Sequence, residues 1–315
     1  MYIADRNNSL GGVAKLIGVT KHQRSNQLAL VIEYFTESNL RTFLKHGLLN
    51  WNVRCKILQN IALGLAVVHL SNVIHCDLHS GNILCNSNEL HTLNPVISDF
   101  GLSKVYNQTT SHSKGSYGII PYMAPELLRG HPYTEESDVY ALGMILWELS
   151  SGEPPFYDRS HNVNLMLDIC YGVRPPIING TPDLWVELME KCWDANPANR
   201  PTAYEVWREV QKWNMNQFTT FDQFSREQSQ SLLPKCHPRS VYTSRFIPSI
   251  SVLEEYSKEK NLNIDQIDDA EWEKIVSTML NYLLKIIYGN LIVTNQYYYD
   301  SCSWLRWHQN GNACK

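Results

Sequence analysis

The 315-residue sequence contains no Cys-x-x-Cys pair and no Cys/His cluster at ligand spacing, although it has eight cysteines. That excludes the zinc-ribbon and zinc-finger classes and offers no disulfide framework, so reduced thiols in a cytoplasmic setting are expected. Net charge is also small, at -4, with no cluster of Lys and Arg, so the electrostatic footprint of a nucleic-acid binder is lacking. Residues 1–12 are polar with no apolar stretch, which argues against a secretory signal peptide. Charged residues make up 18% and apolar residues 43%, enough to fill a core and well away from compositions that stay unfolded.

What is present begins with two short β-branched runs, Val13 to Thr20 and Leu28 to Phe35, separated by the polar stretch Lys21 to Gln27. This pattern predicts a two-stranded hairpin. From Trp51 to Leu70, apolar residues recur at Val53, Ile57, Ile61, Leu65 and Val68, the period of an amphipathic helix. Ser137 to Ser151 is apolar nearly throughout and predicts a helix buried on all sides, stopped by Gly152. Helical patterns return at Pro182 to Cys192 and Thr202 to Trp213. After about Asn216 the composition turns to Gln, Ser, Thr and Pro, a linker reading that extends to roughly Ser251. Asp268 to Tyr288 is a further helix candidate with acidic residues first. Lys285 interrupts the apolar run from Ile275 to Val293, so a packed helix is expected there and no membrane span. The aromatic residues of the last segment, Tyr297, Tyr298, Tyr299, Trp304 and Trp307, follow no pattern with a structural meaning.

Chemistry is concentrated between residues 73 and 126. Val73-Ile-His-Cys-Asp-Leu-His-Ser-Gly-Asn-Ile-Leu84 resembles the catalytic loop of eukaryotic protein kinases. Ser98-Asp99-Phe100-Gly101 resembles the metal-binding motif that follows a strand in that family, and Tyr122-Met-Ala-Pro-Glu126 its Ala-Pro-Glu region, with Leu102 to Ile120 as the activation segment between them. Three motifs in the family's order and spacing set chance aside. The resemblance covers about Gly11 to Trp213. It implies an α+β, protein-kinase-like fold, largely the helical C-terminal lobe with a two-stranded remnant of the N-terminal lobe. It implies ATP and Mg2+ as cofactors, Asp77 as catalytic base, and Asn82 and Asp99 as metal ligands. Ile32 would be the gatekeeper, the backbone of Glu33 and Phe35 would hold the adenine, and Leu84 would pack beneath it. His75, Phe100 and Gly101 would be structural members of the motifs. Asp138 would hold the catalytic-loop backbone, and Glu126 with Arg200 would form a buried ion pair. Ser137-Asp-Val-Tyr140 and Cys192-Trp193 look most like the tyrosine-kinase-like group, whose members usually act on Ser and Thr. A protein substrate or signalling partner follows from the resemblance.

The sequence departs from the family in several places. No Gly-x-Gly-x-x-Gly loop and no strand Lys with helix Glu can be read in it. Gly11-Gly-Val-Ala-Lys15 is tempting, but the family places a helix and two strands, on the order of 30 residues, between that Lys and the hinge. Leu16 instead resembles the apolar residue of the fourth strand that stacks over Phe100. Cys76 replaces an Arg, His79 takes a position that is often Lys, and Ile119 one that is often Thr. Residues 1–36 are therefore expected to be the remnant N-lobe and hinge, and 37–216 the C-lobe. Residues 217–251 are expected to be a disordered linker, and 252–315 a partly helical extension. A pseudokinase or interaction module without turnover stays open beside the kinase reading, as does a truncated gene product.

Overall fold

A computed structural model describes residues 11–288 except 22–25, 37, 46, 48, 88–92, 106–113, 214–217, 219–220 and 222–235. Along the chain, strands β1 (Leu16–Lys21) and β2 (Leu28–Ile32) precede helices α1 (Leu40–Leu44) and α2 (Trp51–Leu70). Short strands β3 (Val73–Ile74), β4 (Ile83–Ser87), β5 (Leu93–Ile97), β6 (Lys104–Val105) and β7 (Gly115–Gly118) follow. Helices α3 (Pro125–Leu128), α4 (Glu135–Ser151), α5 (Val163–Cys170), α6 (Asp183–Cys192) and α7 (Ala203–Lys212) come next, then β8 (Arg245–Pro248), α8 (Ile250–Lys260) and α9 (Asp269–Tyr288). The readings for residues 289–315 and for the Lys285 side chain lie outside the described residues.

The helix limits follow from local chemistry. Asn50 caps α2 by accepting the Val53 N–H at 2.9 Å, which satisfies a donor that the first turn leaves orphaned. Thr134 and Ser137 form a reciprocal capping box on α4, and Glu135, Glu136 and Asp138 in its first turn suit the positive end of the helix dipole. Gly152 ends α4 at φ 80°, a left-handed conformation that glycine adopts at little cost.

The chain forms two compact units that interleave along the sequence. The first comprises Met1–Gln108, Thr134–Pro154 and Pro176–Leu232. In it α2 packs against β5 and α7, and α4 against α6. α2 buries more than the single face its periodicity suggests, since Cys55, Leu58, Ala62 and Ala66 are covered as well as Ile57, Ile61, Leu65 and Val68. This burial explains why a helix with the length and apolarity of a membrane span is a core element. Tryptophans lock the helices together: Trp185 meets Trp51 edge-on at 5.2 Å, and its Nε1 donates to the Leu146 carbonyl.

Gly11 and Gly12 serve α2 and β5. The Gly12 carbonyl accepts the Ile97 N–H, and Ala14 donates back to Ile97, each at 2.8 Å. Gly12 lies at φ 81° so close to Gly64 that a Cβ on it would stand 2.6 Å from the Gly64 Cα. Gly64→Ala tests this approach. Alanine gains about 1 kcal/mol of helix propensity over glycine, but its Cβ would press on Gly12 backbone, and such overpacking costs about 1 to 3 kcal/mol. The expected outcome in thermal unfolding is a lower midpoint; an unchanged or higher one would mean that the Gly12 segment yields.

β1 and β2 pair antiparallel with a bulge near Gly18, as the two apolar runs predict, and Val19, Leu28 and Leu30 on them are exposed. The second unit comprises Thr109–Tyr133, Pro155–Pro175 and Leu233–Lys315. In it α3 packs on α5, α5 on α8, and β7 pairs with β8. This corrects the linker reading of 217–251. Among its described residues, 245–248 form a strand with Phe246 and Ile247 buried, and α8 starts at Ile250. Composition misses a strand of this kind because a backbone ladder holds it and four residues carry little periodicity.

Candidate functional site

Antiparallel pairing of β4 with β5 sets Ile83 opposite Ile97, which brings the residues just outside the pair, Asn82 and Ser98, together. Ser98 binds the Asn82 carbonyl twice, through its N–H at 2.9 Å and its hydroxyl at 2.8 Å. Asp99 follows at once at φ 61°, its carboxylate accepting the Gly101 N–H at 3.3 Å. On the other side, Asn82 Nδ2 donates to the Asp77 main-chain carbonyl at 2.9 Å and lies 3.4 Å from its Oδ2. Contacts thus join Asp77, Asn82 and Ser98, and Asp99 is the next residue in the chain.

Two buried side chains hold the loop that carries Asp77. Asp138, at the start of α4, accepts the His75 N–H at 2.7 Å and the Cys76 N–H at 3.0 Å, and Oδ2 also meets His69 Nε2 at 3.0 Å. These bonds keep Cys76 at φ 67°, a region that costs a non-glycine residue energy unless its surroundings enforce it. His75 fixes the next step. Its Nδ1 accepts the Asp77 N–H at 3.3 Å while Nε2 faces the Ser98 carbonyl at 2.9 Å, so the proton belongs on Nε2. Phe100 packs edge-on against its ring at 5.0 Å. Burial pushes the Cys76 thiol up to about 12, so it stays a neutral thiol where the family carries a cation.

His79 is buried, with Nε2 3.7 Å from Asp77 Oδ2 and Nδ1 3.5 Å from Arg41 Nη2. Burial lowers its pKa, against the pull of the Asp77 carboxylate. A neutral ring with Nδ1 as acceptor for Arg41 turns its Nε2–H toward Asp77. Arg41 Nε also reaches Ser80 Oγ at 3.1 Å, and Ser80 donates to Glu148 at 2.7 Å. Sequence motifs gave no hint of Arg41 or Glu148, which sit in α1 and α4 far from the loop in sequence. An ionisable residue inside the otherwise apolar stretch Val139 to Leu149 was the one available signal for Glu148.

In the same unit, Ile32 closes β2 and Glu33 follows, donating its N–H to the Lys15 carbonyl at 3.2 Å. The backbone group that Glu33 can turn to a base is therefore its carbonyl. Ile32, Glu33 and Tyr34 are exposed and Phe35 and Leu84 half-buried. The segment is tied to β4 beside Leu84, through Cys85 N–H to the Ser38 carbonyl and Thr36 N–H to Asn86 Oδ1. Arg200 donates to the carbonyls of Glu136 and Asp194, each at 2.9 Å, and lies over the Tyr140 ring. In the second unit, Glu126 occupies the first turn of α3.

The family model described as protein tyrosine and serine/threonine kinase matches residues 7–210. Among similar proteins, the dual specificity protein kinase splA of Dictyostelium discoideum is 35% identical over 210 residues, 62% of this chain and 9% of that protein. A probable serine/threonine-protein kinase of the same organism is 39% identical over 182 residues, 57% of this chain and 19% of the relative. A serine/threonine-protein kinase of Arabidopsis thaliana is 31% identical over 185 residues, 58% and 32% of the two chains. This chain thus spans less than a third of the length of each of these curated relatives.

Proposed function

The chain belongs to the protein tyrosine and serine/threonine kinase family, and from that membership we propose that it transfers the γ-phosphoryl group of ATP to a protein hydroxyl, Ser or Thr before Tyr. The observation that supports the proposal is that the Asn82 side chain bonds to Asp77 while the Asn82 main-chain carbonyl binds Ser98, the residue directly before Asp99, so that the two motifs carrying these oxygen-bearing residues adjoin. A scaffold has no need to keep Asp77, Asn82 and Asp99.

In this reading Asp77 accepts the proton of the attacking hydroxyl. His75 and Asn82, bonded to its N–H and its carbonyl, hold its backbone, and the Nε2–H of His79 faces the carboxylate. Asn82 and Asp99 would hold Mg2+. They suit it, because Mg2+ takes oxygen ligands and the amide nitrogen of Asn82 is already directed at Asp77, which leaves Oδ1 as the donor atom. When bound, the ion supplies positive charge that offsets the phosphate oxygens. The adenine would lie against Ile32, the carbonyl of Glu33, Phe35 and Leu84. The Ser137-Asp-Val-Tyr140 and Cys192-Trp193 signatures favour the tyrosine-kinase-like group.

A second reading, an interaction module that binds without turnover, rests on two departures inside the catalytic-loop motif, Cys76 where the family carries Arg and His79 where it often carries Lys. Nucleotide binding separates parts of the two. ATP is expected to bind residues 1–315 weakly and only with Mg2+, and Asp99→Ala is expected to abolish the Mg2+-dependent part. Calorimetry with and without the metal checks this; tight binding that survives Asp99→Ala would move the phosphates away from this site.

A further inference from the structure

Four residues of the activation-segment region form β7, and their partner strand comes from a part of the chain more than a hundred residues away. β7 and β8 run antiparallel with Gly115 opposite Pro248, Ser116 opposite Ile247, Tyr117 opposite Phe246 and Gly118 opposite Arg245. The Ser249 N–H bonds to the Lys114 carbonyl at 3.1 Å. Hydrogen-bonded pairs alternate in an antiparallel ladder, so Ser116/Ile247 and Gly118/Arg245 are the bonded pairs of this one.

The seat is shaped for its occupant. Phe246 and Ile247 are buried, and the Phe246 ring meets Tyr117 edge-on at 5.8 Å. A Cβ on Gly115 would stand 2.5 Å from the Phe246 ring and closer still to the Ile247 carbonyl, so only glycine admits the strand at this approach. Flanking polar bonds hold the extension in place. Arg245 reaches Glu273 and the His161 carbonyl, each at 2.9 Å. Asp269 pairs with Arg239 at 2.6 Å and accepts from Ser160 and from Asn162, the residue that caps α5. The buried His161 ring, its pKa lowered to about 4 by desolvation, stays neutral between Val241 and Phe156.

A sheet edge offers unpaired N–H and C=O groups to any extended chain, and the ladder recognises backbone while neighbouring side chains choose the sequence. We propose that β7 is a docking edge for an extended polypeptide carrying an aromatic-aliphatic pair, and that residues 245–248 occupy it in cis. The C-terminal extension then competes with any such partner for one ladder, and tethering gives it the advantage of a high effective concentration. That a protein substrate is among the competitors rests on the kinase reading; the edge and its occupant do not.

The test uses the full chain and no nucleotide. Ile247→Pro removes the N–H that pairs with Ser116. Amide exchange at residues 115–118 is expected to speed by about tenfold or more, with exchange in α4 unchanged. A fluorescein-labelled peptide of residues 243–252 is expected to bind Ile247→Pro and not the parent. Gly115→Val releases the extension from the other side, yet it should refuse the peptide, because its side chain fills the approach. Unchanged exchange at 115–118, equal peptide binding by parent and Ile247→Pro, or no binding by either would overturn the proposal. Should Ile247→Pro unfold the chain, seen as faster exchange in α4, Arg245→Ala gives the same reading at smaller amplitude, and unchanged exchange at 115–118 there would overturn it equally. A failed kinase reading leaves all these results untouched, since ATP takes part in none of them.

Discussion

Asp77→Asn is expected to abolish most phosphoryl transfer in a chimera that places the Gly-rich loop and Lys/Glu clamp of a relative ahead of Gly11. Without such a clamp, residues 1–315 are expected to show little or no transfer, because this chemistry depends on positioning and charge stabilisation more than on covalent work by the protein. With it, the base becomes measurable. Asparagine keeps the shape of Asp77, and the Asn82 amide bonds to the main-chain carbonyl of residue 77, so the loop has no reason to move. What is lost is the proton acceptor, a contribution of about 10²- to 10⁴-fold. Radiolabelled ATP and a protein substrate provide the measurement. Equal transfer by the chimera and its Asp77→Asn form would leave Asp77 without a catalytic role and favour the interaction module.

Replacing Asp138 with Ala should produce the largest loss of stability in the site region. The carboxylate is buried and accepts two backbone N–H groups, of His75 and Cys76, besides contacting His69. Each buried donor left without a partner costs roughly 1 to 3 kcal/mol, so a loss of about 3 to 5 kcal/mol is expected. Part of that loss will be recovered by relaxation of Cys76 from its positive φ, and that relaxation would move the Asp77 backbone. Asp138→Asn retains one oxygen acceptor but turns an NH₂ toward the second donor, so an intermediate loss is expected. Chemical denaturation of the three proteins checks the order. If the Ala form were as stable as the parent, water or another acceptor would have to replace the carboxylate, and its part in holding the loop would be lost.

Legibility in the sequence varied with the range of the interaction. The limits of α2 at Trp51 and Leu70 coincide with the apolar pattern and an Asn cap, and α4 ends at Ser151 because Gly152 follows. The motifs on either side of β4 and β5 were legible, but the pairing of these strands that brings Asn82 next to Ser98 was not. Likewise, Gly11 and Gly12 offered only a tempting glycine motif that spacing to the hinge rejects, and their packing was not legible because nothing within the window around them mentions Gly64. His79 was legible as a departure from Lys, but its contact with Arg41 was not, since Arg41 belongs to a five-residue helix without a motif.

The sequence alone determined the elements that short-range rules govern, the capped and periodic helices and the glycine stop of α4, and it supplied the spacing of Asp77, Asn82 and Asp99. Tertiary structure alone decided three other matters. It set Gly12 against Gly64, it closed the Asp77, His79, Arg41, Ser80 and Glu148 network, and it paired β7 with β8. Each depends on backbone groups or long side chains meeting across 38 to 131 residues of sequence, by the separations Arg41 to His79 and Ser116 to Ile247. Backbone donors and acceptors are the same in every residue but proline, so a ladder between β7 and β8 leaves almost no mark in composition and is fixed only when the packed chain brings the two strands together.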